Sequence, residues 1–163
     1  MAQIVAVVRS VSEGVCGFEG ALRTFEGLAD RLQEQEALRM THNELEELLH
    51  TEGTELLRQL MQAHLDARQG GKVKGGRVEG SDGVTRSNVR ELPRNLETRF
   101  GTVVVHRVGY SAPGAESVVP MDSTLNLPDE KYSFTVQRMV AEEAAKGSFD
   151  NVVDEYKNYP AHH

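Results

Sequence analysis

Apolar side chains recur at three- and four-residue steps through the first third of the chain. Phe18, Leu22, Phe25, Ala29 and Leu32 share one helical face. Ser10 and Glu13 stand at capping-box spacing upstream, although Gly14 and Gly17 blur that start. Thr41 and Glu44 repeat the spacing more cleanly, with Leu45, Leu48 and Leu49 following at helical steps. The pattern resumes after Gly53 with Leu56, Leu57, Leu60, Met61, His64 and Leu65. A glycine inside a helix costs about 1 kcal/mol relative to alanine, so Gly53 predicts a break or kink. Two or three amphipathic helices, packed as an antiparallel hairpin, account for residues 1–69.

The period then disappears. Six of the fourteen residues from Gly70 to Gly83 are glycine, with Lys72, Lys74 and Arg77 between them. Ordering glycine costs the most backbone entropy, so a basic, mobile linker is expected over residues 70–94. From Asn95 the period becomes two: Leu96, Thr98 and Phe100 alternate with Glu97 and Arg99. The stretch from Thr102 to Tyr110 is rich in valine, and Gly101 between the runs predicts a hairpin turn. Pro113-Gly114 predicts a type II turn, and Val118-Val119 a short edge strand. These elements make a small antiparallel β unit over residues 95–127.

Helical spacing returns in residues 128–163. Pro128 suits a first helical turn, with Asp129 and Glu130 at the positive end of the dipole. Tyr132, Val136, Met139, Val140 and Ala144 would form its apolar face. Gly147 would end it, and Ser148 would cap a second helix starting near Phe149, the opening of a helix-turn-helix pattern. The expected fold class is therefore α+β: a helical hairpin, a small antiparallel meander, and C-terminal helices beginning a helix-turn-helix-like unit.

Length and composition fit this picture. The chain has 163 residues, 39% of them hydrophobic and 26% charged, as in an ordinary globular protein of one domain or two small lobes. Cys16 has no second cysteine for a disulfide or a cysteine-based zinc site, and no basic partner to activate it. The apolar run Ile4–Val8 falls far short of the ~20 residues that span a bilayer. The start shows no basic leader pattern, so a cytoplasmic protein is expected, without membrane contact.

Charge changes the picture more. The net charge is −7, yet it is unevenly spread. Residues 1–57 carry 4 basic and 11 acidic groups, residues 58–107 carry 10 and 5, and residues 108–163 carry 4 and 9. A basic island between acidic flanks can meet phosphate, or it can pair with the flanks of its own chain.

Catalytic patterns are absent from the spacing. His42, His50 and His64 make no HExxH pair, and His64 and His106 read as packed or core-edge histidines. Glu46-Glu47 and Glu142-Glu143 are adjacent on helices and do not face each other. No serine lies in a G-x-S-x-G elbow. Gly71-Lys72 is followed by Val73 rather than Ser or Thr, so it is no phosphate-binding P-loop. His162-His163 read as natural residues or the remains of a purification tag. No metal and no cofactor is expected.

Five blocks of sequence do carry a resemblance. The first runs from Gly53 to Arg68, and the second is Asp82-Gly83-Val84-x-Arg86. The third spans Leu96 to Gly114 and includes Phe100-Gly101, Val103, Val105, Arg107, Tyr110 and Ala112-Pro113-Gly114. The fourth holds Pro120-x-Asp122, Leu125-Asn126-Leu127-Pro128 and Glu130-Lys131-Tyr132-Ser133. The fifth holds Arg138, Ala141, Glu143-Ala144-Ala145, Gly147-Ser148-Phe149-Asp150 and Val153. In order and spacing, over about residues 44–153, they resemble the N-terminal region of ISKra-type bacterial insertion-sequence transposases; residues 1–43 match only in being helical.

Such transposases cut and join DNA with three acidic residues on an RNase H-like domain downstream of this region. None of the aspartates here matches one of those positions, so the resemblance transfers no catalytic residue. It implies a recognition and assembly region, from a first open reading frame, a truncated element or an excised piece. Its expected partners are duplex DNA, a second copy of itself and a catalytic transposase half encoded downstream.

Arg86, Arg90, Arg94 and Arg99 are the expected phosphate contacts, with Lys72, Lys74 and Arg77 as auxiliary grip. No aromatic series interrupts them, which favours duplex over single strands. Leu45, Leu49, Leu56 and Leu60 are the expected self-association residues. The alternative from another class is a protein–protein or regulatory module that dimerises through its leucines and ignores DNA. For the arginines, the alternative is a solvated strand edge with salt bridges.

Overall fold

The computed structural model describes residues 17–157, with side chains through Gly147. Ser10, Glu13, Cys16, His162 and His163 lie outside the described residues. The fold is α+β. Helix α1 (Glu19–Arg31) and helix α2 (His42–Ala67) form the expected antiparallel hairpin. Thr24 Oγ1 donates to Gln59 Oε1 (2.9 Å), and Arg31 pairs with Glu52 (3.2 Å). These contacts fix the direction of α1 along α2.

The capping box at the start of α2 is complete. Thr41 Oγ1 accepts from Glu44 N–H, and the Glu44 carboxylate accepts from Thr41 N–H at 2.8 Å. The Thr41 bonds hold the Glu44 carboxyl below the usual range. Gly53 neither breaks nor ends α2, which continues through it to Ala67. Packing along both flanks of the helix outweighs one unfavourable residue.

Seven strands follow: β1 (Val78–Glu79), β2 (Thr85–Arg86), β3 (Asn88–Glu91), β4 (Arg94–Thr98), β5 (Gly101–Val105), β6 (Val108–Ala112) and β7 (Ala115–Val118). They form a β1–β2 ribbon, a β4–β5 hairpin and a three-stranded sheet in the order β3–β6–β7, all antiparallel. The turns expected at Gly101 and at Pro113-Gly114 are present as the β4–β5 and β6–β7 connections.

The stretch expected as a linker contributes three of these strands. Its first glycines serve close packing. A Cβ on Gly70 would lie 3.0 Å from Val108 Cγ2, and one on Gly71 would lie 3.0 Å from Met121 Cβ. Both adopt a positive φ (67° and 71°), which glycine takes without steric cost. They let the chain leave α2 and turn tightly against the sheet.

Other differences have equally local causes. The valine run from Thr102 to Tyr110 is two strands in different sheets, divided at His106-Arg107. Leu92 N–H donates to Arg107 O at 2.8 Å, and Arg107 Nε donates to Leu92 O at 3.1 Å. That exchange turns the chain out of line, and His106 is exposed there rather than at a core edge.

Helix α3 (Pro120–Leu125) starts on a proline and ends at Asn126 in the left-handed region, within the segment expected to be β. Residues 128–133 are not helical: the chain bends over 129–131 and forms a single bridge to β4 at Tyr132. Glu97 N–H donates to Lys131 O (2.8 Å), and Ser133 N–H donates to Glu97 O (2.9 Å), so this segment runs beside β4. Helix α4 (Phe134–Lys157) begins after it, with Ser133 Oγ accepting from Val136 N–H. The turn expected at Gly147 is absent, and one helix runs through it. Tyr132, Met139 and Val140 are exposed, not buried on a common face.

The core lies between α2 and the β4–β5 hairpin. Leu65, Leu96, Val103, Val105 and Met121 are buried together, and Met61, Leu125 and Leu127 pack against them. Gln62 completes the joint. Its amide donates to Val104 O (2.9 Å) and accepts from Val104 N–H (2.8 Å). These are the outward-facing backbone groups of β5, whose only ladder among the described residues is with β4. Buried backbone groups without partners cost about as much as a lost hydrogen bond. Gln62→Ala should therefore lower the unfolding free energy by about 1–3 kcal/mol. Urea denaturation of the variant beside the unsubstituted chain checks this, and equal midpoints with equal slopes would contradict it.

Candidate nucleic-acid interface

The glycine-rich segment is held down at one point. Tyr110, fully buried on β6, accepts from Val73 N–H through its hydroxyl at 2.8 Å. Gly76 N–H then donates to Val73 O (3.1 Å), closing a turn. Lys72 and Lys74 flank the anchored Val73, and Arg77 follows the turn; all three are exposed. Lys72 Nζ lies 3.7 Å from Glu91 Oε1, which brings the segment to the end of β3. Arg90 is the neighbour of Glu91 on that strand, and β3 is an edge of its sheet with all four residues exposed. Lys72, Lys74 and Arg77 thus share one anchored segment, and Lys72 brings it to the end of the strand that carries Arg90.

Arg86 leaves the expected phosphate set. It is 2% exposed. Its guanidinium grips Asp82 with two bonds (2.8 and 3.0 Å) and donates to Val84 O (2.8 Å) and Glu116 O (2.6 Å). It closes the loop between β1 and β2 and ties that loop to β7. The pairing raises the Arg86 pKa, chiefly through the Asp82 hydrogen bonds.

Arg94 is also occupied, donating to Pro128 O and Glu130 O and so holding the bent segment before α4. Arg99 is exposed at the β4–β5 turn, its guanidinium 5.6 Å from the centre of the Phe100 ring. Arg58 stands beside the same turn, with its Cδ 3.2 Å from a Cβ placed on Gly101. Arg58 is itself paired with Glu55 at 2.6 Å. That contact and a Gln59 bond lower the Glu55 pKa to about 2.

The island is therefore divided. Arg58, Arg86 and Arg107 form tight ion pairs within the chain, Arg107 with Asp122 at 2.7 Å. Lys74, Arg77 and Arg90 enter no ion pair among the described residues. Arg68 lies back along α2, donating to His64 Nε2 at 3.2 Å, and both are exposed.

Two hollows adjoin these groups. One of about 350 Å³ is bordered by Lys72, Pro93, His106 and Arg107, and one of about 550 Å³ by Arg23, Arg58, Gln59 and Asp66. Each mixes cations with carboxylates. Among the described residues, no group of three His, Cys, Asp or Glu side chains could hold a metal ion.

Comparison with protein-family models, curated proteins and solved structures finds no match to this chain. No helix among the described residues is long and apolar enough to cross a membrane.

The expected self-association residues also divide. Leu45 and Leu56 are partly buried, whereas Leu49 and Leu60 are exposed. Leu57, which was not in that set, is the most exposed leucine of α2 at 45%. Its place could have been found by marking the α2 positions that face neither α1 nor β5.

Asp82 offers a direct test of the Arg86 anchor. The Arg86 hydrogen bonds, then Val84 N–H, lower its pKa from 3.8 to about 2. A lowered folded-state pKa contributes stability that is complete above about 3.8 and lost as the pH falls through about 2. Asp82→Asn should flatten the acid limb of stability against pH by about one proton, measured by urea melts from about pH 5 to about pH 2. An unchanged slope would remove the anchor from this account.

Proposed function

We propose that this chain is the DNA-docking and assembly region of an ISKra-type insertion-sequence transposase, acting in the cytoplasm and carrying no catalytic residue of its own. The resemblance over about residues 44–153 supports the family. The observation that carries the docking role is the exposed trio Lys72, Lys74 and Arg77 on an anchored segment that reaches the edge strand carrying the exposed Arg90. Arg99 supplies a second, separate contact. Phosphate contacts of this kind set affinity and position, while sequence would be read elsewhere. Cutting and joining would belong to a partner catalytic region.

The proposal predicts salt-dependent binding to duplex DNA. With a labelled mixed-sequence duplex of about 30 base pairs at roughly 50 mM salt, fluorescence anisotropy should show saturable binding. Replacing Lys74, Arg77 and Arg90 together with alanine should weaken it roughly tenfold or more. The same change should reduce the slope of log affinity against log salt by about 1 per cation removed. All three side chains are exposed, so the variant should keep its melting temperature. Absence of binding by the unsubstituted chain, or an unchanged salt slope in the variant, would refute the docking role.

A further inference from the structure

Helix α2 has three sides, and the described residues cover two of them. One meets α1 through Gln59 and Glu52. Another meets β5 through Gln62 and Leu65. The third carries Glu46, Leu49, Gly53, Leu57, Leu60, His64 and Arg68, at steps of three and four that keep them in one stripe. Leu49, Leu57 and Leu60 are 42%, 45% and 38% exposed there. Gly53 stands among them, and a Cβ placed on it meets nothing within 4 Å. Packing among the described residues therefore does not require glycine at that position. A second backbone could approach closely there.

We infer that this stripe pairs with the same stripe of a second copy, in antiparallel orientation. This deepens the assembly half of the proposed function and is independent of DNA docking. Charge decides the orientation. The stripe is acidic at its start, at Glu46, and basic at its end, at Arg68. A parallel pair would set Glu46 against Glu46 and Arg68 against Arg68. An antiparallel pair about a two-fold axis between Gly53 and Leu57 sets Leu49 against the partner's Leu60. It sets Gly53 against the partner's Leu57, and Glu46 against the partner's His64 and Arg68. One patch then serves both copies, as a two-fold interface requires.

Neither end group is committed strongly inside the chain. Glu46 lies 3.7 Å from His42, both well exposed, and Arg68 bonds only His64 among the described residues. Exposed pairs of this kind contribute little within one chain, which leaves them free to select a partner's orientation.

Sedimentation equilibrium of the full chain across a dilution series, without DNA, tests this. The unsubstituted chain should give a reversible monomer–dimer equilibrium. Leu57→Gln with Leu60→Gln should give monomer mass throughout at unchanged helical circular dichroism, because both side chains are exposed in the single chain. Glu46→Lys alone, or Arg68→Glu alone, should weaken dimerisation roughly tenfold. An equimolar mixture of those two variants should restore it, since each chain then meets its complement at both ends.

Monomer mass for the unsubstituted chain at every concentration assigns the stripe to a different occupant and overturns the inference. So does a dimer indifferent to the leucine changes, or a mixture no stronger than its components. Mass is read without nucleic acid, so failure here and failure of DNA docking are separate results.

Discussion

The Gln62 amide, bonded to both backbone groups of Val104, is the contact around which the helical and β parts are arranged. Among the described residues strand β5 has one ladder, with β4, and it presents its other edge to α2. A helix cannot supply backbone partners to a strand edge, because its own groups are already paired along its axis. A side-chain amide can, since it carries a donor and an acceptor at the spacing of a peptide group. With that edge closed, Leu65 and Met61 can lie on Val103 and Val105 without leaving a polar group stranded beneath them. The register of α2 on the hairpin follows, and α1 takes its place from α2.

Elements governed by local chemistry were legible in the sequence. The Thr41–Glu44 box, the apolar face of each N-terminal helix, the turn at Gly101 and the turn at Pro113-Gly114 each depend on residues within a few positions of one another. Elements governed by distant contacts were not. Gly70 and Gly71 look like linker glycines until Val108 and Met121 are seen against them. The break at His106-Arg107 depends on Leu92, fifteen positions away for the Arg107 side-chain bond. Gly147 looks like a helix end, yet the helix continues, because a single unfavourable residue does not by itself terminate one.

The candidate site shows the same division. Exposure of Lys72, Lys74, Arg77 and Arg90 agrees with their spacing among glycines and on an edge strand. Arg86 and Arg94 were indistinguishable from them by residue type. Asp82 lies only four positions from Arg86, but Glu116, Pro128 and Glu130 are placed by the tertiary structure alone. Arginine has five donors in a rigid fork, which suits phosphate and a cluster of carbonyls equally well. Counting arginines therefore overstates the charge available to a polyanion, and the surface left for one is smaller and more localised than the composition of the middle third implies.

The bond from Val73 to the hidden Tyr110 hydroxyl has a thermodynamic consequence. A glycine-rich strap left slack would surrender much of its freedom on meeting a ligand, and that loss would offset the attraction of its lysines. Here a bond to a buried side chain and a closed turn make part of that ordering a consequence of folding. Encounter with a polyanion would begin from a pre-shaped cationic ridge, so its strength would be governed by counterion release rather than by the cost of taming a loop.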